Sequence, residues 1–241
     1  MDDYYIENKE KLMEMFEVVM EYFKPHFTQK FPNENYQEFK NDAQKDFELL
    51  FPTIPYIGGF KNRFTLYLVS APLVVAIYKN IKPLGIEDEE FGEFIFETVG
   101  KYLTPKREIV KKLGKFMSVG WLGKLLNKKN ARKPVLYEYG WKFDIIEDKN
   151  DEDLIYTMKY SQCGLQKYMN DLGYSHLTPF LCISDYKLLS NLNIGFKRTQ
   201  TIAMGGNFCD FQFRKNYPTP KTWDLEKFDD YREFMKRSVR D

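Results

Sequence analysis

Residues 195–214, which read GFKRTQTIAMGGNFCDFQFR, decide the fold of the C-terminal half of the chain. Apolar and polar side chains alternate on both sides of Gly205-Gly206. A glycine pair between two alternating runs is typical of a tight turn that joins antiparallel strands. We therefore predict one strand from Ile194 to Ala203 and a second from Phe208 to Arg214.

The register of this hairpin sorts its side chains into two faces, because successive residues of a strand point to opposite sides. A turn at the glycine pair places Thr201 opposite Asp210. One face then carries Arg198, Gln200, Ile202, Cys209, Phe211 and Phe213, and the other carries Lys197, Thr199, Thr201, Asp210, Gln212 and Arg214. Arg198 lies among apolar residues on the face expected to be buried, where polar groups need a partner. We expect Arg198 to point into a cavity and bind an anion, such as a substrate carboxylate.

Hydrophobic periodicity predicts the remaining elements. Alternation predicts a hairpin of strands over 139–145 and 154–160. Helical spacing predicts helices over 4–24 (ended by Pro25), 39–50, 63–80, 87–102, 163–172, 178–192 and 223–237. The fold class is therefore α+β, with a helical region over 1–133 and an α+β region over 134–241 forming one compact unit. We expect helices 163–172 and 178–192 to pack on one face of the sheet.

Composition excludes several classes of protein. The chain has 241 residues, 43% of them hydrophobic, so it can bury a core. A net charge of +1 gives no case for nucleic-acid binding. Three cysteines without a C-x-x-C pair exclude a disulfide scaffold and a standard zinc finger, so we predict no metal site. No apolar run reaches membrane-spanning length and Met1-Asp2-Asp3 begins no secretory signal, so we expect a cytoplasmic protein.

Residues 101–133 form a strongly basic segment. They include eleven Lys or Arg and one acid, Glu108, with apolar side chains between the charges. A helix of this composition can lie on an anionic membrane surface. It can also belong to a solvated helical pair whose apolar stripe faces the core. We favour the helical pair, because Gly114, Gly120 and Gly123 weaken one continuous helix.

The string Cys182-Ile-Ser-Asp185 places a thiol beside a carboxylate, because residues three apart are neighbours on a helix. The carboxylate can act as a general base. The thiol is a good nucleophile only where its pKa is lowered, and an acidic neighbour alone raises that pKa. The pair would therefore need Arg198 or a helix end close by. The alternative is that Cys182 is a small buried apolar residue.

Several strings resemble the L-2-amino-thiazoline-4-carboxylic acid hydrolase family. They are Cys163-Gly-Leu-Gln-Lys-Tyr168, Cys182-Ile-Ser-Asp185, Phe196-Lys-Arg-Thr-Gln-Thr-Ile202, Gly205-Gly206 and Cys209-Asp-Phe211. The loop Ile54-Pro-Tyr-Ile-Gly-Gly59 and the helix after it also fit the N-terminal part of that family. The resemblance covers most of the chain and is sharp over 163–211.

The resemblance implies a cofactor-independent hydrolase that acts on a small, carboxylate-bearing cyclic amidine. The namesake reaction opens a thiazoline ring to give N-carbamoyl-cysteine, by attack of water or a thiol on the carbon between nitrogen and sulfur. Arg198 would bind the carboxylate, Asp185 or Asp210 the amidinium, and Thr199 and Thr201 would form hydrogen bonds to the substrate. The candidate nucleophiles are Cys182 and Cys209, ranked first, and Cys163.

Two interpretations of this constellation remain open. In the first, the protein is a hydrolase, and either a thiol or a water molecule assisted by a carboxylate attacks the ring. In the second, it is a non-catalytic module that binds or senses a small molecule in the same pocket. Thiol reactivity distinguishes them, since an accessible thiolate of low pKa favours the enzyme and three inert thiols favour packing. We expect at least one of the three thiols to lie in the pocket with Asp185 and Arg198.

Overall fold

The computed structural model describes residues 3–238; Met1 and Asp2, which were considered for a signal segment, lie outside the described residues. The N-terminal half is helical, as predicted. Its helices are α1 (Tyr4–Glu7), α2 (Lys9–Lys30), α3 (Tyr36–Leu50), α4 (Thr65–Ile81), α5 (Asp88–Leu103), α6 (Glu108–Val119) and α7 (Trp121–Ala131). The C-terminal half contains β1 (Lys142–Ile146), β2 (Leu154–Gln162), α8 (Gly164–Asp171), α9 (Thr178–Asn191), β3 (Gly195–Lys197), β4 (Cys209–Arg214) and α10 (Asp229–Ser238). The predicted α+β class is confirmed.

The four strands form one antiparallel sheet in the order β1-β2-β4-β3. The predicted hairpin over 139–145 and 154–160 is confirmed by the pairing of β1 with β2. One face of the sheet is mostly aromatic and carries Phe143, Tyr156, Tyr160, Phe196, Phe211 and Phe213. Helix α9 packs on this face, with the ring of Tyr186 4.9 Å from that of Phe196. Buried side chains of both halves join in a single hydrophobic core.

Close approach of α5 to α9 depends on a glycine. A Cβ atom at Gly92 would lie 2.7 Å from the Phe180 ring and 2.9 Å from the Trp223 ring. Any larger residue would therefore push α9 away from α5. This contact fixes α9, which carries two of the predicted site residues.

Two helix boundaries differ from the prediction. Pro25 was expected to end the first helix, but α2 continues through it to Lys30. Phe23 and Phe27 are fully buried on either side of the proline, so packing outweighs the lost backbone hydrogen bond. The last helix begins at Asp229 and not at Trp223, because the Trp223 side chain packs as a loop residue against Phe180.

The predicted register of the last hairpin is wrong. Strand β3 ends at Lys197, which pairs with Gln212, so Thr201 does not lie opposite Asp210. The cause is a side chain: the carboxylate of Asp210 accepts hydrogen bonds from the backbone N–H groups of Thr199 and Gln200, at 2.8 and 3.0 Å. These bonds take the place of the strand ladder. The following residues form a short 3-10 turn, Ile202–Met204, in place of a two-residue hairpin turn.

The basic segment folds as a helical pair, α6 and α7, as predicted, but its apolar stripe does not face the core. Helix α6 has no buried residue. Ile109, Leu113, Trp121 and Leu125 are 75%, 59%, 71% and 57% exposed. The expectation of a core-facing stripe is therefore wrong. The pair is attached to the body of the protein through Ser118 and Asn127, which both form hydrogen bonds with Tyr156.

Candidate active site

Arg198 is the centre of a buried polar network. Its side chain is fully buried beneath α9. The guanidinium donates to Asp230 Oδ2 at 2.7 Å, to Asp185 Oδ2 at 3.0 Å and to the carbonyl oxygen of Cys182 at 2.9 Å. Asp230 also accepts a hydrogen bond from Tyr186 at 2.9 Å. Burial alone would lower the pKa of Arg198, but Asp230, Tyr186 and Asp185 hold it well above its ordinary value.

This geometry differs from the prediction that Arg198 points into an open cavity. The prediction of a buried position is correct, but the guanidinium is occupied by two carboxylates and a backbone carbonyl. Arg198 donates a hydrogen bond directly to Asp185 and thereby holds this carboxylate in place. A contact of Arg198 with substrate stays a prediction.

Asp185 is the carboxylate of this network that remains accessible. Its side chain is 22% exposed, whereas Asp230 is completely buried. Burial raises the pKa of Asp185 from 3.8 to about 6, and the charge and hydrogen bonds of Arg198 limit the increase. Asp185 is therefore poised to gain and lose a proton near neutral pH, as a general acid or base requires.

The three cysteines are free thiols that lie around this network. The pKa of Cys182 is raised well above its ordinary value by burial, with Cys209, Cys163 and Asp185 adding to the rise and Arg198 opposing it. Burial likewise raises the pKa of Cys209 to about 12, and the influence of Cys163 and Asp185 adds to it. The charges of Asp185 and Arg198 act on the thiols of Cys182 and Cys209, and the charge of Asp185 acts on Cys163, so the three cysteines lie near this part of the network. At neutral pH all three sulfurs are protonated.

Cys163 has the surroundings that most favour a thiolate, although the sequence ranked it last. It is the residue that caps the N-terminus of α8. The backbone N–H groups of Leu165 and Gln166 and the side chain of Trp141 lower the pKa of its thiol, but burial outweighs them and the pKa is raised overall. Close by in the chain, the side-chain oxygen of Gln166 is a buried acceptor without a partner among the described residues. Such an atom is satisfied when a ligand or water binds.

Six neighbouring side chains next to this network influence one another's pKa values, and we call this group the recess: Arg63, Tyr67, Tyr160, Cys163, Cys182 and Asp185. Tyr67 is 41% exposed, yet loss of solvation raises its pKa to about 12, with Asp185 adding to the rise and Arg63 opposing it. Loss of solvation also raises the pKa of Tyr160, which Arg63 and Asp185 influence in the same way. Tyr67 and Asp185 are both partly exposed, so the group reaches the protein surface.

Arg63 is a cation of the recess that no carboxylate neutralises within residues 3–238. Its guanidinium donates to Asn127 Oδ1 at 2.9 Å and lies over the rings of Phe64 and Phe143. Tyr67 and Tyr160 are therefore near a positive charge, Arg63 from the stretch before α4, and a negative charge, Asp185 from α9. A ligand that carries both a carboxylate and a cationic group would satisfy both.

A comparison with protein-family models identifies the family of the chain. The model of the L-2-amino-thiazoline-4-carboxylic acid hydrolase family matches residues 67–213, which is more than half of the chain. The chain belongs to this family. No curated protein and no solved structure gives a significant match. The matched segment of this family member contains Tyr67, the three cysteines and Asp185, whereas Arg63 lies four residues before it.

The remaining predicted residues of this family member are Asp210, Thr199 and Thr201, and each has a partner within the protein. Asp210 follows Cys209 in β4 and therefore points away from it. Its carboxylate accepts hydrogen bonds from Thr199 Oγ1 at 2.8 Å and from Gln212 Nε2 at 2.7 Å. Thr201 is buried and its hydroxyl accepts from the backbone N–H of Met204. The structure gives these groups internal partners, and their contact with substrate stays a prediction.

Sequence reasoning missed Arg63, Tyr67, Tyr160 and Asp230. A weak signal for Arg63 existed, because it follows Gly58-Gly59 and the loop that fits the family. Nothing in the spacing of Asp230 pointed to Arg198, 32 residues earlier. Among residues 3–238 no group of three or more His, Cys, Asp or Glu side chains is arranged to hold a metal ion.

Proposed function

We propose that this protein is a hydrolase that opens a small cyclic amidine carrying a carboxylate, such as 2-amino-thiazoline-4-carboxylate. One observation carries the proposal. Asp185, whose pKa burial raises to about 6, and Arg63, which has no acidic partner among residues 3–238, both act on Tyr67. The family name supports a hydrolase, and the charges of the recess support this substrate class.

The substrate binds as a zwitterion. Arg63 binds its carboxylate, because a guanidinium can form two parallel hydrogen bonds to a carboxylate. The rings of Tyr67 and Tyr160 flank the heterocycle. Its amidinium group then lies toward Asp185, whose negative charge attracts it. Arg198 acts as a positioning residue, since its bond to Asp185 Oδ2 at 3.0 Å fixes the carboxylate.

Asp185 then assists the attack of water on the ring carbon between nitrogen and sulfur. It accepts a proton from the water as the new carbon–oxygen bond forms, and the cationic amidine becomes a neutral tetrahedral adduct. The carbon–sulfur bond breaks, and the sulfur leaves as a thiol with the proton from Asp185. The hydroxyl of the adduct loses its proton to solvent and becomes the carbonyl of an N-carbamoyl amino acid.

We propose that water, and not a cysteine thiol, attacks the ring carbon. The pKa of each cysteine is raised by burial, so the reactive thiolate is scarce at neutral pH. Asp185 is ionised under the same conditions. The three thiols then shape the recess, and Cys163 is the one whose helix N-terminus would favour attack if a thiol takes part. The product places the reaction in cysteine metabolism, and we propose the reducing cytoplasm as its compartment.

The experiment is a turnover assay with 2-amino-thiazoline-4-carboxylate, with N-carbamoyl-cysteine detected by mass spectrometry. We expect turnover by the wild type and loss of about a hundred-fold or more in Asp185→Asn. Asp46→Asn is the control, because Asp46 also accepts side-chain hydrogen bonds but lies on α3. Cys163→Ser, Cys182→Ser and Cys209→Ser should keep turnover.

Three results would contradict parts of this proposal. Loss of turnover in one Cys→Ser variant that keeps its fold would replace water with that thiol as the nucleophile. Full activity of Asp185→Asn would remove the carboxylate from the chemistry. Tight binding of the substrate without turnover would make the protein a binding or sensing module.

A further inference from the structure

Helices α6 and α7 present an apolar face to solvent. In α6, Ile109, Leu113 and Phe116 recur at helical spacing and are 75%, 59% and 41% exposed. In α7, Trp121 and Leu125 are four residues apart and are 71% and 57% exposed. We call these five side chains, together with Met117, the outer patch.

The outer patch points away from the protein body. In α6 the opposite side is fixed by Ser118, whose carbonyl accepts a hydrogen bond from Tyr156. In α7 the opposite side carries the buried residues Gly123 and Asn127, and Asn127 donates to Tyr156 at 3.1 Å. The two helices are held closely together, since a Cβ at Gly123 would lie 1.9 Å from the Met117 carbonyl oxygen. The apolar face is therefore built into the fold.

Positive charge surrounds the outer patch. Residues 101–133 carry eleven basic side chains and one acid, a net charge of +10, whereas the whole chain has a net charge of +1. The rest of the chain therefore has a net charge of −9. Only Lys111, Lys124 and Lys128 form ion pairs within the part of the chain that the structure describes. Eight basic side chains of the segment remain available to an external anion.

The geometry points to attachment of this surface to an anionic lipid bilayer, with α6 and α7 lying in the interface. An apolar helix face with an exposed Trp, flanked by Lys and Arg, binds the boundary between headgroups and acyl chains. Lys112 flanks the α6 face, while Lys129 and Arg132 continue the α7 face beyond Leu125. The negative charge of the remainder keeps the opposite side of the protein away from the bilayer.

The charge distribution argues for lipid as the partner over a second copy of the chain. Two copies joined through the outer patch would place two segments of net charge +10 against each other. The proposed attachment involves no membrane-spanning helix, because no helix within residues 3–238 is long and apolar enough to cross a bilayer. The inference is independent of the proposed reaction, since the patch contains none of the recess residues.

The test is vesicle flotation with the full-length protein. We compare neutral phosphatidylcholine vesicles with vesicles containing about 30% phosphatidylserine, at about 0.1 M and about 0.5 M salt. We expect binding to the anionic vesicles that salt weakens, and little binding to the neutral ones. Removal of three cations in Lys112→Gln/Lys129→Gln/Arg132→Gln should weaken partitioning on the order of a hundred-fold. Trp121→Ser/Leu125→Ser should also weaken it, while thermal melting stays unchanged.

A matched control removes the same charge elsewhere. Lys45→Gln/Lys149→Gln/Lys221→Gln changes three exposed lysines outside the segment and should bind like the wild type. Absence of binding to anionic vesicles, or equal loss of binding in the control, would overturn the inference. A solution dimer that Trp121→Ser/Leu125→Ser dissociates would also overturn it, because the patch would then be an interface between copies.

Discussion

At the scale of residues, Arg198 is the most consequential side chain of the site. It is fully buried and holds both Asp185 and Asp230. Removing the positive charge leaves two carboxylates close together, one of them without any exposure. We expect Arg198→Met to lower the free energy of unfolding by about 3–5 kcal/mol in urea denaturation. Arg214→Met, which breaks the half-exposed pair with Asp151, should change it far less, and equal losses would refute a special role for Arg198.

We expect Arg63 to select substrates that carry a carboxylate. Its guanidinium has no carboxylate partner among residues 3–238, and its charge acts on Tyr67. We expect Arg63→Gln to raise KM for 2-amino-thiazoline-4-carboxylate by about 10–100-fold, since a charged hydrogen-bond pair is lost. KM for 2-amino-thiazoline, which lacks the carboxylate, should not change. Lys61→Gln is the nearby control, and an equal effect on both substrates would show that Arg63 only supports the fold.

The sequence identified part of this site for sound reasons. A charged residue within an apolar strand pattern correctly indicated that Arg198 is buried, and helix periodicity correctly placed Asp185 one turn from Cys182. The partner of Arg198 could not be predicted, because Asp230 comes from a different helix. Arg63 was indicated only weakly, by the loop that precedes it, since its importance lies in having no acidic neighbour among residues 3–238, and that is a property of three-dimensional packing.

At the scale of elements, the N-terminus of α8 should make Cys163 the most reactive thiol. Two backbone N–H groups and Trp141 lower its pKa, and it is partly exposed, whereas Cys209 is 6% exposed with a pKa of about 12. We expect iodoacetamide at mildly alkaline pH to alkylate Cys163 before Cys209, although more slowly than in the unfolded chain. Peptide mass spectrometry measures the rates. Faster alkylation of Cys209 would contradict this description of the α8 terminus.

The contact between α5 and α9 gives a prediction about stability. Gly92→Ala forces a Cβ to within 2.7 Å of the Phe180 ring, and ring and helix must both move. We expect a loss of about 1–3 kcal/mol in the free energy of unfolding, beyond the gain in helix propensity. Gly114→Ala in α6 is the matched control, because its nearest neighbour would be 3.6 Å away. If both variants were stabilised, α5 and α9 would not be as tightly packed as described.

Periodicity predicted most elements but not how they join. The helices around α4 and α5 and the first hairpin follow from their hydrophobic patterns. The last hairpin was misread because the Asp210 side chain captures backbone N–H groups that alternation assigns to a strand ladder. The stripe of α6 was misread because amphipathic spacing identifies an apolar face and not what covers it.

At the scale of the whole molecule, both halves of the chain build the recess. Arg63 and Tyr67 come from the helical half, and Cys163 and Asp185 come from the half that contains the sheet. Such contacts between residues a hundred positions apart follow from the common core and not from any local pattern. The division at residue 133 stays a prediction about chain organisation. Charge is also distributed unevenly over the molecule. Residues 101–133 have a net charge of +10, whereas the whole chain has a net charge of +1, and the overall composition does not reveal this difference.

Folding raises the pKa of Asp185, so this group links stability to pH in a defined direction. The protonated form is favoured in the folded protein, because burial raises the pKa from 3.8 to about 6. Its contribution to stability is therefore present below about pH 4 and is lost as the pH rises through about 6. The ionised form needed for catalysis is populated above that pH, so activity and this stability contribution change in opposite directions.

The role of Asp185 as the base can be measured through the pH dependence of kcat/KM for 2-amino-thiazoline-4-carboxylate, because it reports the group that must be ionised in the free enzyme. We expect kcat/KM to rise with pH through about 6, the pKa of Asp185, and then to reach a plateau. The residual activity of Asp185→Asn should lack this step. A rise only above pH 9, where the thiols begin to ionise, or a profile unchanged by Asp185→Asn, would contradict it.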